Sequence, residues 1–152
     1  MSGSMVAAAD LDQILEDVLS SFADRIVPGH GASAAGHVDT WLEAWVKISG
    51  AWDGEVVLAV LGASAPEFAA AMLGVPSSEV TTDDTVDALC ELVNMIGGQV
   101  KATFPPGCRL SLPLIRMMRR DAGPSVAASN DIAAKTYDWS GHPLRIMVRA
   151  AL

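Results

Sequence analysis

The stretch from Thr81 to Ala102 constrains the fold most. Val86, Leu89, Val93, Ile96 and Val100 recur at three- and four-residue spacing and form one apolar stripe along a helix. A helix with one such stripe needs a surface to cover it. Thr81 and Asp84 have capping-box spacing, with Asp in place of the usual Glu or Gln, and Pro105-Pro106-Gly107 stops the helix.

The covering surface reads as a sheet. Thr40 to Ser49 alternates, with Trp41, Glu43, Trp45 and Lys47 on one side and Leu42, Ala44, Val46 and Ile48 on the other. Turn residues from Gly50 to Gly54 lead into a second strand, Glu55 to Leu61, and the short link makes the pair a hairpin. Beyond the long helix, strands are expected over Arg109 to Leu112 (closed by Pro113), Ser125 to Ala128, Ala133 to Trp139 and Leu144 to Ala150. A turn at Ser140-Gly141-His142-Pro143 precedes the last.

Two further helices are expected. Asp10 to Ile26 carries Leu11, Ile14, Leu15, Val18, Leu19 and Phe22 on one face and stops at Val27-Pro28-Gly29, followed by a Gly/Ala/Ser loop over 29–36. Ser64 caps a shorter one that holds Pro66 in its first turn and ends at Gly74. The order is helix, two strands, two helices, then three or four strands. Consecutive strands joined by tight turns give an α+β fold with helices packed on a mostly antiparallel sheet.

The 152 residues suit one domain, here 10–152, and a 51% hydrophobic content allows a sizeable core without disulfides or a structural metal. Residues 1–9 form a tail, and Met1-Ser2-Gly3-Ser4-Met5 resembles an expression scar ahead of a native start at Met5. No apolar run approaches the roughly 20 residues of a membrane span. A formal net charge of -8 fits neither nucleic acid nor an anionic membrane. With no secretory signal and two cysteines that form no framework, a cytoplasmic location is expected.

Several chemistries lack their residues. His30, His37 and His142 fall in loops or turns without helical ligand spacing, so no metal site is expected. There is no phosphate loop and no Gly-x-Ser-x-Gly elbow. Cys90 has no evident base and reads as a small hydrophobe. What remains is the polar side of the long helix. Asp87, Glu91 and Asn94 stand at i, i+4 and i+7, and Gly97 and Gly98 follow. Two glycines inside a helix cost about 1 kcal/mol each relative to Ala, so close packing or room for a partner must repay them. On spacing alone, a solvated face is the more common reason for polar residues in this pattern, and Glu-x-x-Asn occurs by chance in many helices.

The run from Asp87 to Lys101, Asp-Ala-Leu-Cys-Glu-Leu-Val-Asn-Met-Ile-Gly-Gly-Gln-Val-Lys, resembles the signature helix of the CheC/CheX/FliY phosphatases. These are bacterial chemotaxis proteins that dephosphorylate the response regulator CheY. Asp87, Glu91, Asn94, Gly98 and Lys101 fill the slots of the family pattern, and Ser111-Leu112-Pro113 resembles its proline-ended strand. Ile48-Ser49-Gly50, the strand from Glu55 to Leu61 and Ala71-Met72-Leu73-Gly74 resemble CheX, so the likeness runs from about Asp10 to the C-terminus. Departures are Cys90, where the family often has Gly, Gln99, where Asn is common, and a shorter span from Asn94 to Pro113 than in some members. CheC-type chains carry two copies of the motif. Here Glu16 is followed three residues on by Leu19 and not by Asn, so one site per chain is expected, as in CheX.

The resemblance implies a CheX-type fold, a homodimer, and hydrolysis of the aspartyl phosphate on a CheY-like receiver domain. It implies catalytic roles for Glu91 and Asn94, and a partner-binding role for Asp87, Gly97 and Gly98. It implies no cofactor of the chain's own, since Mg²⁺ is expected on the receiver. The alternative is a CheX-like module that binds a receiver, or serves a signalling complex, without catalysis.

Overall fold

The computed structural model describes residues 8–19, 26–28, 39–120, 131–139 and 141–151. Its elements are α1 (Ala8–Leu19), β1 (Ile26–Pro28), β2 (Asp39–Ser49), β3 (Gly54–Leu61), α2 (Ala65–Leu73), α3 (Thr82–Lys101), β4 (Arg109–Leu110), β5 (Leu114–Arg120), β6 (Asp131–Trp139) and β7 (His142–Ala150). The described strands make one sheet in the order β1-β6-β7-β3-β2-β4, with β5 also pairing β2. Every pairing is antiparallel. This is the expected helix-on-sheet layout.

Strand alternation decides which face carries the helices. Ala44, Val46 and Ile48 of β2, Val56, Leu58 and Val60 of β3, and Leu144, Ile146 and Val148 of β7 join one core. Leu11, Ile14, Leu15 and Val18 of α1, Phe68 of α2 and the apolar stripe of α3 belong to the same core. The intervening residues point to the other face, where Trp41, Val57, Ala59 and Met147 form a second cluster. The period-two pattern read in β2 therefore holds residue by residue.

The helix ends follow local chemistry. The Thr81 hydroxyl accepts from the Asp84 amide at 3.1 Å, and the Asp84 carboxylate accepts from the Thr81 amide at 3.0 Å. This reciprocal pair satisfies two donors that the first turn of α3 leaves open. Gly74 closes α2 in the left-handed region, at φ 70°. At the other end of α3, Trp52 from the β2–β3 turn stacks on Phe104, with centroids 4.1 Å apart and planes 8° from parallel. That stack ties the hairpin turn to the segment that leaves α3.

Several expectations need correction, and others fall outside the described residues. The first helix does not reach Ile26: it is described over Ala8–Leu19, residues 20–25 lie outside the described residues, and Ile26–Pro28 is an edge strand on β6, opposite Tyr137, Asp138 and Trp139. β-branched Ile26 and Val27 suit a strand, and an edge position tolerates the proline's missing donor. The strand expected over Arg109 to Leu112 covers only Arg109–Leu110, and a strand not foreseen, β5, begins after Pro113 and runs along β2 from Trp45 back to Asp39. His142 and Pro143 belong to β7 and not to a turn; the His142 ring nitrogen Nδ1 lies 3.0 Å from the Ser64 hydroxyl. Ser64 thus precedes α2 as expected, but its side chain bonds a strand and not the helix. The loop over 29–36, the strand at 125–128, and the first seven residues lie outside what is described. No helix among the described residues is long and apolar enough to cross a membrane.

Candidate functional site

α3 lies across the sheet with Leu89, Leu92, Val93, Ile96 and Val100 buried beneath it. That packing turns the opposite side outward. Asp87 and Glu91 are exposed and Asn94 is half-buried. With Gly98 they fall at i, i+4, i+7 and i+11, so one stripe three turns long carries all four. Among the described residues, Asp87, Glu91 and Asn94 make no side-chain hydrogen bond or ion pair.

The two glycines part company. A Cβ on Gly97 would lie 2.5 Å from Val46 Cγ2 and 3.3 Å from Leu110 Cδ1. Gly97 is buried and lets the helix approach β2 and β4 closely; the structure does not bring it to the outward stripe. A Cβ on Gly98 would meet nothing within 4 Å. Gly98 therefore leaves a bare patch of backbone one turn beyond Asn94. Cys90 flanks the stripe, and burial, with the Asp87 carboxylate beside it, pushes its thiol above the ordinary 9.0. Both effects favour the neutral thiol over the nucleophilic thiolate.

Charges elsewhere contrast with this stripe. On the far face of the sheet, Glu43 is fully buried and accepts from Arg116 at 2.9 Å, and the Arg116 guanidinium lies 4.7 Å over the Trp45 ring. Arg149 donates to Asp131 at 2.6 Å. On α1, Asp12 pairs with Lys135 at 2.7 Å. These groups are held within the fold, whereas the carboxylates and amide of α3 are presented outward.

Shape restricts what the stripe can do. A shallow cavity of about 370 Å³ opens at the hairpin end of the sheet, lined by Lys47, Ser49, Asp53, Glu55 and Ala150 among others, and contains no residue of α3. The helix face itself is convex and cannot enclose a small substrate. Among the described residues no cluster of three His, Cys, Asp or Glu side chains is placed to hold a metal. An amide and a carboxylate on a convex helix can enter a partner's cleft and hydrogen-bond groups held there. The sequence pattern located Asp87, Glu91, Asn94 and Gly98; it did not distinguish Gly97 from Gly98, because that depends on where β2 and β4 pass.

Comparison with known proteins adds to this geometry. Residues 42–123, more than half of the chain, match the family model described as chemotaxis phosphatase CheX. The fold is similar to that of the chemotaxis protein CheX from Desulfovibrio desulfuricans, with a TM-score of 0.70 at 21% identity, covering 95% of this chain and 98% of that one. It is similar to CheX from Vibrio vulnificus, with a TM-score of 0.68 at 16% identity over 93% of each chain. It is also similar to the protein in the CheX–CheY–BeF3–Mg²⁺ complex from Borrelia burgdorferi, with a TM-score of 0.61 at 12% identity, covering 97% of this chain and 99% of that one. No curated protein matches the sequence closely enough to count as a relative.

Proposed function

Because the chain belongs to the CheX family of chemotaxis phosphatases, we propose that it hydrolyses the aspartyl phosphate of a CheY-like receiver domain. The observation that carries this reading is the unpartnered Glu91 and Asn94 pair on the outward stripe of α3, within the residues that match the family. The Borrelia neighbour, solved with CheY, BeF3 and Mg²⁺, supports the choice of partner.

Hydrolysis of an acyl phosphate requires a water in line with the scissile bond. The transition state is loose and highly charged, so catalysis rests on positioning and electrostatics. The receiver brings the phosphoaspartate, its Mg²⁺ and a lysine. Asn94 supplies what is missing: its amide donates and accepts, orients the water, and stays neutral beside the phosphoryl dianion. A carboxylate in its place would repel the phosphoryl oxygens. Glu91, one turn back, pairs with the receiver lysine and fixes the register, and Asp87 extends that acidic edge. Gly98 gives the receiver access to the backbone beside Asn94, while Gly97 acts from beneath by seating α3 on the sheet. The chain works in the cytoplasm as a homodimer, and sedimentation equilibrium at twice the chain mass is the expected result.

Adding the purified protein to a phosphorylated CheY-type receiver should speed phosphate release above the receiver's own decay. A receiver that is captured by the protein but loses phosphate no faster would favour the non-catalytic alternative. A receiver neither bound nor dephosphorylated would remove both.

A further inference from the structure

The outward stripe of α3 extends past Gly98 to Lys101, the only basic residue in the helix. Asp83, Asp87, Glu91, Asn94, Gly98 and Lys101 follow one another in steps of four or three, so they share one line along the helix. Read along that line, three carboxylates come first, then a neutral amide, a bare glycine, and an ammonium. Asn94 stands midway, with Asp87 about 10 Å on one side and Lys101 about 10 Å on the other. Lys101 is partly exposed, and its side chain has no hydrogen bond or ion pair among the described residues. The stripe is a charge gradient with the catalytic amide at its centre.

We infer that Lys101 sets the direction in which the receiver lies along α3, by pairing with an acidic side chain about 10 Å from the phosphoryl group that Asn94 addresses. This rests on the phosphatase reading above. Glu91 fixes the register against the receiver lysine, yet Asp83 and Asp87 offer that cation two further positions a turn apart, and nothing in the acidic end penalises the slipped poses. A helix in a cleft can also enter in either direction. Lys101 resolves both ambiguities: in the reversed pose it meets the receiver's lysine, and like charges reject the pose. A partly exposed rim charge of this kind acts mainly on encounter and salt dependence. Lys101 is therefore a positioning residue and not a catalytic one. The competing explanation is that Lys101 only complements the helix dipole in the last turn.

The test uses the full chain with a CheY-type receiver from the same genome. Phosphate release is followed against receiver concentration at low and high salt, and binding is read with the BeF3⁻–Mg²⁺ form, in which BeF3⁻ stands in for the phosphoryl group. Lys101→Glu should raise KM and Kd roughly fivefold at low salt with kcat nearly unchanged, and the difference should fade at high salt. Lys101→Arg should behave as wild type. The double variant Asp87→Lys/Lys101→Asp keeps the net charge but inverts the gradient, and should bind less tightly than Lys101→Glu. If Lys101→Glu lowers the melting temperature while KM and its salt dependence stay at wild-type values, Lys101 serves the dipole and the inference is overturned. The same conclusion follows if the gradient-inverted variant binds as well as wild type. Should the wild-type protein itself neither bind nor dephosphorylate the receiver, the phosphatase reading fails and takes this inference with it.

Discussion

Two adjacent glycines in α3 do opposite work, and side-chain substitution separates them. A methyl on Gly97 would press on Val46 Cγ2, a β-branched side chain with little rotameric freedom to yield. Overpacking of this kind costs about 1–3 kcal/mol, offset by about 1 kcal/mol of better helix propensity. Gly97→Ala should therefore lower the unfolding free energy by a net amount of about 1 kcal/mol, read as a lower urea midpoint. A methyl on Gly98 meets nothing, so Gly98→Ala should raise stability by about 0.5–1 kcal/mol. If the two variants shift the midpoint in the same direction, the account of how α3 sits on β2 is wrong. On the proposed function, a bulkier Gly98→Leu should keep the protein folded yet slow receiver dephosphorylation, a loss read as raised KM. The sequence alone marked both glycines as costly to the helix but could not say which faced the sheet. Only the passage of Val46 and Leu110 beneath α3 makes the distinction.

Among elements, those with a strong local period were legible. The alternation of β2, the valine-rich β3, the turn between them and the capped α3 all follow from short-range chemistry. β1 and β5 were not. Ile26–Pro28 is too short to show a period, and becomes a strand because β6 offers it a partner more than a hundred residues away in sequence. β5 lies behind Pro113, which reads as a stop; the same long edge of β2 accepts β4 on one side of that proline and β5 on the other.

A second element depends on a polar tether. Lys135 donates to both Asp12 oxygens at 2.7 Å, and the Tyr137 hydroxyl donates to Oδ1 at 2.9 Å, which fastens α1 to β6. The Lys135 bond holds the Asp12 carboxyl below its ordinary 3.8, against the opposing effect of burial. A depressed folded-state value means the tether's contribution is fully present above 3.8 and is lost as the pH falls through the lower folded value. Asp12→Asn should thus be less stable than wild type near neutrality, and the gap should close on acidification below that range. Burial, followed by the Asp12 bond, raises the Tyr137 hydroxyl well above its ordinary 10.0, so its contribution to stability is fully present below 10.0 and is lost as the pH rises from there through the raised folded value. Thermal melts of Asp12→Asn across the acid range check the first claim; a gap that persists or widens in acid contradicts it.

On the scale of the whole molecule, one core unites the parts. Among the described residues, α1, α2 and α3 and strands from both halves of the sheet contribute to a single cluster. Tryptophan fluorescence and far-UV circular dichroism should therefore report one coincident unfolding transition, and separated transitions would divide that core. On the sheet's far side Glu43 pairs with Arg116 and Asp131 with Arg149. Among the described residues, Asp87, Glu91, Asn94 and Lys101 on the outward side of α3 have no side-chain partner, on a chain of net charge -8. Periodicity revealed that this side is polar. The proposal that it docks a receiver rests on the match to a family, because a solvated helix face and a docking face have the same spacing. The central claim is that Asn94 orients the water that releases phosphate from a bound receiver. The direct measurement is phosphate release from a phosphorylated CheY-type receiver by wild type and Asn94→Ala at matched receiver saturation, with the melting temperature and receiver affinity measured alongside. The account predicts a drop of about a hundredfold or more in the catalysed rate, with affinity and stability close to wild type. An Asn94→Ala variant that binds the receiver and releases phosphate at the wild-type rate would contradict it.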